Sequence, residues 1–347
     1  MRHTRLRALV VCLLLAPASA FAQDALAPVQ SGELWGYIDA GGEMVIEPRF
    51  EMAEVFSEGL APVQSGQLWG YVDASGEMAI EPRFEVASGF SEGLAKVKQE
   101  GLWGYVDQTG QMVIGPRDGN ITHFSEGLAA VQEGDLFGYI DKSGEMVINP
   151  AYQQARAFSE GLAPVTTGGK WGYIDKRGRY AIKPELELAL PFSEKMAFVK
   201  TPYEWGFIDT SGKMVIETNF TCEPLSVALN LCSFSEGVAW LQDGDRWCLV
   251  DTSGDTIFKR DYERVASFSE GLAEFRTQSG RGHINRSGKE VVKAQYAATG
   301  PFSQGLARVK KGDAFGFVDT SGREAVAPVF QQAGDFHLPT DSTTNPF

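Results

Sequence analysis

The chain has 347 residues and a formal net charge of −14, with 43% hydrophobic and 22% charged residues. That length exceeds one ordinary globular core, and the composition excludes an intrinsically disordered chain. The acidic balance disfavours binding to nucleic acid or anionic lipid, because both repel an anionic surface.

Arg2, Arg5 and Arg7 precede the short apolar run Ala8–Ala16, and Ala20-Phe21-Ala22 is an A-x-A cleavage signal. Residues 1–22 are read as a signal peptide, with the mature chain starting at Gln23. Loss of three arginines moves the net charge from −14 to −17. The apolar run is too short to span a bilayer, and no other stretch approaches spanning length. The expectation is a soluble exported protein, periplasmic or, as the alternative, extracellular.

From Ala25 onward the chain repeats. Trp35-Gly36-Tyr37-Ile38-Asp39 returns from Trp69-Gly70, Trp103-Gly104, Phe137, Trp171-Gly172 and Trp205-Gly206 at steps of 34 residues. The next copy, Trp247-Cys248-Leu249-Val250-Asp251, follows after 42, and weaker copies begin at Arg281 and Phe315. A second marker, Phe56-Ser57-Glu58-Gly59-Leu60-Ala61, recurs from Phe90, Phe124, Phe158, Phe192, Phe234, Phe268 and Phe302. Two markers in one register establish nine tandem units over residues 23–338, followed by a polar tail at 339–347.

The second unit shows the expected build. Leu60 to Val63 reads as a first strand, with Ala61 and Val63 inward and the residue between them outward. That outward position varies freely, and Pro62 there suggests an edge strand. Leu68 to Val72 reads as a central strand buried on both faces, with Gly70 marking a close backbone approach by the Ala-bearing strand or a neighbouring unit. Asp73-Ala74-Ser75-Gly76 is a turn, and Met78 to Ile80 a third strand. Phe84 to Phe90 is a connector with room for a short helical turn, its aromatic anchors plugging the seam between units.

Three such strands cannot bury an apolar face alone, so neighbouring units must stack. The recurring Glu58, Glu92, Glu126, Glu160, Glu194, Glu236 and Glu270 would repel one another at a single strand spacing. Units one whole meander apart are therefore expected. The fold class is all-β, a tandem array of about nine three-stranded units. An open superhelical solenoid is preferred over a closed propeller-like ring, because the first and last units each read as holding their own three strands.

Taken together, the Trp-Gly-Tyr-Ile/Val-Asp core and the Phe-Ser-Glu-Gly-Leu-Ala segment resemble the WG-repeat family of bacterial proteins. The resemblance departs at Arg281, which lacks the Trp, and at Cys248, which lacks the Gly. It implies a repeated β unit and carries over no catalytic residues.

Cys222, Cys232 and Cys248 survive processing, and an eight-residue insertion near 221–233 brackets the first two. A Cys222–Cys232 disulfide is expected in an oxidising compartment, with pairings to Cys248 left open. Gly89-Phe90-Ser91-Glu92-Gly93 matches a nucleophile elbow, but the Ser is in every copy and has no partnered His. The Asp-x-Ser/Thr-Gly segments supply one acid each and read as turn caps, not calcium loops. His123, His283 and His337 stand apart, and neither a metal site nor a cofactor motif appears.

The expectation is a non-catalytic binding or scaffolding module for a protein or an envelope glycan, with no nucleic-acid partner and no membrane span. The variable outward residues Lys96, Phe198, Trp240 and Arg308 are the candidate binding positions, and exposure of Phe198 and Trp240 decides whether an aromatic platform exists. The alternative is a glycosidase-like envelope hydrolase on a repeat scaffold, which needs an unrepeated polar constellation.

Overall fold

A computed structural model of the protein describes residues 24–222 and 231–340. The segment 1–22 expected to be a signal peptide, part of the insertion and residues 341–347 of the expected polar tail lie outside that description. The described chain forms nine antiparallel sheets. In the second, β4 (Met52–Ala53), β5 (Leu60–Ser65), β6 (Leu68–Asp73) and β7 (Met78–Phe84) pair in that order. The connector thus begins the unit as a short fourth strand. Among the described residues it contains no helical turn in any repeat.

The first sheet overturns the expected open array. Its own strands are β1 (Leu26–Ser31), β2 (Leu34–Asp39) and β3 (Met44–Phe50), and its fourth strand is Gln332–Ala333 from the far end of the chain. Val29 pairs with Ala333 and Gln30 with Gln332. Leu26 and His337 exchange backbone hydrogen bonds of 2.9 and 3.0 Å. The nine sheets are blades of a closed β-propeller. Each blade has four strands; in the fourth and seventh the leading strand shrinks to the bridges Ile121–Val131 and Thr221–Gln242.

The seam between blades explains the repeat. Tyr37, Tyr71, Tyr105, Tyr139 and Tyr173 are buried on the central strands. Each packs against the next blade's Phe at 4.8–5.0 Å between ring centres. Each hydroxyl donates to a backbone carbonyl 17 residues on, as Tyr71 does to Ser88 at 2.8 Å. Burying one such Phe contributes about 2–3 kcal/mol, and the bonded hydroxyl removes the cost of an orphaned polar group. Phe336 is the ninth of these plugs, fully buried against Phe317.

The Gly of the repeat does mark a close approach, but by the blade's own outer strand. Trp69 pairs with Phe84 and Tyr71 with Ile80, so β7 bulges opposite Gly70. A Cβ on Gly70 would lie 2.4 Å from the Ile80 carbonyl oxygen and 2.8 Å from the Pro82 nitrogen. Cys248 replaces that Gly in the seventh blade, where it pairs one-to-one with Lys259.

Two features of β5 also differ from expectation. It is an interior strand, with Pro62 accepting from Glu54 N at 2.9 Å. In two blades where this position is not Pro, a hydroxyl takes the N–H: Ser88 Oγ for Lys96 and Thr122 Oγ1 for Ala130; in the seventh, Trp240 N donates to the Leu231 carbonyl. The position's side chain faces the seam and not solvent; Pro28, Pro62, Phe198 and Trp240 are all buried there.

Cys222 and Cys232 form the expected disulfide, Cα atoms 6.2 Å apart, and Cys248 is a buried free thiol. Replacing both bridge cysteines with serine is expected to cost about 2–3 kcal/mol on the chain-entropy estimate. Urea unfolding of the two forms, with and without reductant, checks it. Loss of the difference under reductant identifies the bridge as its cause.

Candidate functional site

The Phe-Ser-Glu-Gly segments build a continuous belt. Glu58 and Gly59 have φ of 51° and 96°, and Ser57 and Leu60 exchange backbone hydrogen bonds across them. This two-residue turn favours Asn-Gly, and Glu in the left-handed region costs about 1 kcal/mol. Its carboxylate explains its retention. Glu58 accepts from Glu92 N and Gly93 N of the next blade, both at 2.8 Å. Glu92, Glu126, Glu160, Glu194, Glu236 and Glu270 repeat the link at 2.8–3.0 Å.

The Ser of each segment adds a second link, its hydroxyl donating to the next blade's Phe carbonyl at 2.5–3.0 Å. Side chains this short can join main chains only where blades approach most closely, so the belt encircles the hub. The glutamates do not form a repelling ladder: each negative charge is bound by amide hydrogens, and Lys142, Lys176 and Arg286 pair with three of them. The supposed nucleophile Ser91 is one of these structural donors.

The Asp turns are caps, as their composition implies. Asp73 Oδ1 accepts from Ser75 N and Glu77 N, and the Ser75 hydroxyl is the main influence holding its carboxyl below the usual range. Among the described residues no cluster of acids, histidines and cysteines could hold a metal ion.

The belt is broken where the ring closes. There Leu338 stands in the Glu position and Ala74 where other blades carry Lys142 or Lys176. Gly59 N bonds the Pro339 carbonyl instead of a carboxylate. The result is a hollow of about 480 Å³ lined by Leu26, Val45, Ala74, Leu338 and Pro339, with Asp24, Asp39 and Thr340 as its polar members.

The four candidate binding residues do not share a surface. Phe198 and Trp240 are 0% and 1% exposed, so the aromatic platform is absent from this fold. The Trp240 indole donates to Ala266 O at 2.9 Å across the seam. Lys96 is half-buried over the Trp103 ring. Arg308 bonds the Ala333 carbonyl.

One unrepeated polar group escaped the sequence reading. Glu274 accepts from Arg281 at 2.7 Å and from the Thr299 hydroxyl. Nearby, Asp335 is buried with Oδ1 3.4 Å from Arg308 Nε, close enough to attract but without a hydrogen bond. Burial pushes the Asp335 carboxyl up. His283, in the Tyr position, bonds Gly300 O at 2.8 Å. The signal was present in the free variation at Glu274 and Arg308. What it lacked was the pairing of each with the following connector.

His123 gives a pH prediction. Burial, with Lys96 nearby, lowers its pKa to about 4 from 6.5. The unfolded chain therefore takes up this proton first, so the contribution to stability is present above pH 6.5 and is lost as pH falls towards 4. His123→Asn is expected to flatten the melting temperature over that window. Asp335 acts in the opposite sense, since a raised carboxyl pKa favours the folded state as pH falls. An unchanged slope in the His123 variant refutes the assignment.

Solved structures share the architecture. The chain is similar to a eukaryotic initiation factor at a TM-score of 0.63 and 10% identity, over 93% of this chain and 100% of that one. It is similar to the dihydro-heme d1 dehydrogenase NirN at 0.53 and 10%, over 92% and 75%. At such identities the likeness concerns the fold alone. No curated protein matches the sequence. The WG containing repeat matches nine times, at residues 35–69, 69–103, 103–137, 137–171, 171–201, 205–221, 249–279, 282–313 and 315–337. With the motif, the blade and the belt all in one register, the chain belongs to the WG containing repeat family.

Proposed function

We propose that this protein is a non-catalytic, exported binding or scaffolding module whose partner is another protein. The observation that carries this reading is the use made of the repeated polar groups. Ser, Glu, Asp and Tyr of the motif bond main chain within or between blades, which makes a rigid ring and leaves recognition to unrepeated surface. The closure hollow, where the belt turns apolar, is the first place to look for it. Burial of Phe198 and Trp240 removes the residues on which a glycan platform was to rest. The disulfide fits an oxidising compartment and so supports export, to the periplasm or beyond the cell.

The hydrolase alternative would draw on Glu274 and Asp335. Both Glu274 oxygens are engaged by Arg281 and Thr299, and Asp335 is buried behind Arg308, which favours a structural role for the pair.

The test is capture from envelope extract by the tagged mature protein, beside a pelleting assay with isolated cell-wall sacculi. Leu338→Glu restores the repeat's own residue and narrows the hollow. One enriched protein, lost in that variant without loss of melting temperature, supports the reading. Sacculus binding without a protein partner overturns it.

A further inference from the structure

Two places in the repeat are neighbours across a seam: the variable residue between the inward Ala and Val, and the residue just before the next blade's plugging Phe. Arg308 and Asp335 mark them in the last seam, 3.4 Å apart. Six of the nine seams carry no charge at either place, as with Pro62 and Gly89 or Ala130 and Ala157. Two of the other three answer the charge from within the chain: Glu274 has Arg281 and Thr299, and Arg308 has Asp335. The seam between blades three and four is the exception. It sets Lys96 and His123 at the two places, a base beside a base.

Lys96 finds no carboxylate elsewhere. Its ammonium lies 4.9 Å from the centre of the Trp103 ring, and Lys98 lies over the same ring at 5.7 Å. Lys200, in the place of Lys98 in blade six, is drawn to Glu187 at 2.8 Å. The matching Glu85 of blade three instead accepts from Gly101 N at 2.9 Å. Among the described residues neither Lys96 nor Lys98 enters an ion pair. Burial pushes the pKa of both Lys96 and His123 down, and no carboxylate offsets it. The Trp103 ring answers the ammonium in part. It leaves His123 Nδ1, which is buried with no hydrogen-bond partner, unanswered. Lys96, Lys98 and Trp103 are only half-buried, so solvent reaches them.

We infer that Lys96 and His123, beside Trp103, bind an external carboxylate, which takes the place that Asp335 fills in the last seam. One carboxylate oxygen accepts from the Lys96 ammonium and the other from Nδ1–H of His123, so that a charge-assisted bond anchors the group and the orphaned nitrogen is satisfied. The carboxylate belongs either to a small organic acid or to a side chain of a partner protein. The site is separate from the closure hollow, and it stands whether or not that hollow binds a protein.

Titration of the purified protein with acetate, and separately with aspartate capped at both ends, tests the site. The Trp103 indole and His123 ring signals are followed in proton–nitrogen spectra at constant ionic strength, over a pH series in which the probes are ionised. Saturable shifts of both signals are expected, and the His123 pKa should move up from about 4, because a bound anion favours the imidazolium. A response to acetate alone assigns the site to a small acid; a response to both assigns it to a carboxylate that a protein can deliver. Lys96→Met keeps the stem over the ring and should weaken binding about tenfold or more. His123→Asp rebuilds the arrangement of Arg308 and Asp335. It should keep its melting temperature and abolish binding, since the carboxylate then comes from within the chain. No saturable shift with either probe, an equal shift with chloride, or undiminished binding in a folded Lys96→Met or His123→Asp variant would overturn the inference.

Discussion

Phe336→Ala is expected to destabilise the protein by about 3–4 kcal/mol, as for other fully buried aromatic truncations. Truncation after Gln331 should be worse. It removes the fourth strand of blade one, the ninth seam plug and the Leu26–His337 hydrogen bonds together. In an open array, loss of a terminal strand costs one nearest-neighbour contact and leaves distant units untouched. In a closed ring the same deletion frees the edge of the first blade. The truncated chain should lose a single cooperative melt, and hydrogen exchange should quicken in Leu26–Ser31 as well as beside the cut. Normal protection of that first strand would contradict the closure.

The second large effect is expected at Gly70→Ala, about 3 kcal/mol or more. The added methyl would meet backbone on three sides, from Ile80, Glu81 and Pro82, and backbone cannot swing aside as a flexible side chain can. Gly115→Ala is the control, because no heavy atom lies within 4 Å of its Cβ position; it should stay within about 0.5 kcal/mol. Urea midpoints of the two variants measure the contrast. Equal effects would show that loss of glycine, and not the bulge, sets the cost.

These results bear on why the motif reads as it does. Three of its letters serve a contact 17, 33 or 35 residues ahead: the Tyr hydroxyl on the next connector, the Ser on the next Phe carbonyl, the Glu on the next turn. A unit is therefore incomplete without its successor. The last one, Phe315 to Phe336, is completed by the first.

Much of this was legible in the residues alone. Period-two alternation, Asp-x-Ser-Gly turns and two markers in register are local properties, and they determined three of the four strands of each blade, their order and the number of units; the short leading strand lay hidden in the connector. The Cys222–Cys232 pairing followed from an insertion that brackets both. What only the tertiary structure decided was where the ends meet and which way the variable position faces. Ring closure depends on the small rotation between successive blades, which no single repeat encodes. Its trace, Phe336 standing 34 residues after Phe302, was hidden because His337, Leu338 and Pro339 replace Ser, Glu and Gly. The variable position looked outward because alternation distinguishes two faces of a strand, and in a blade both faces are covered. Phe198, Trp240, Glu274 and Arg308 vary because each is fitted to its own neighbouring connector, and that neighbour is assigned by the ring.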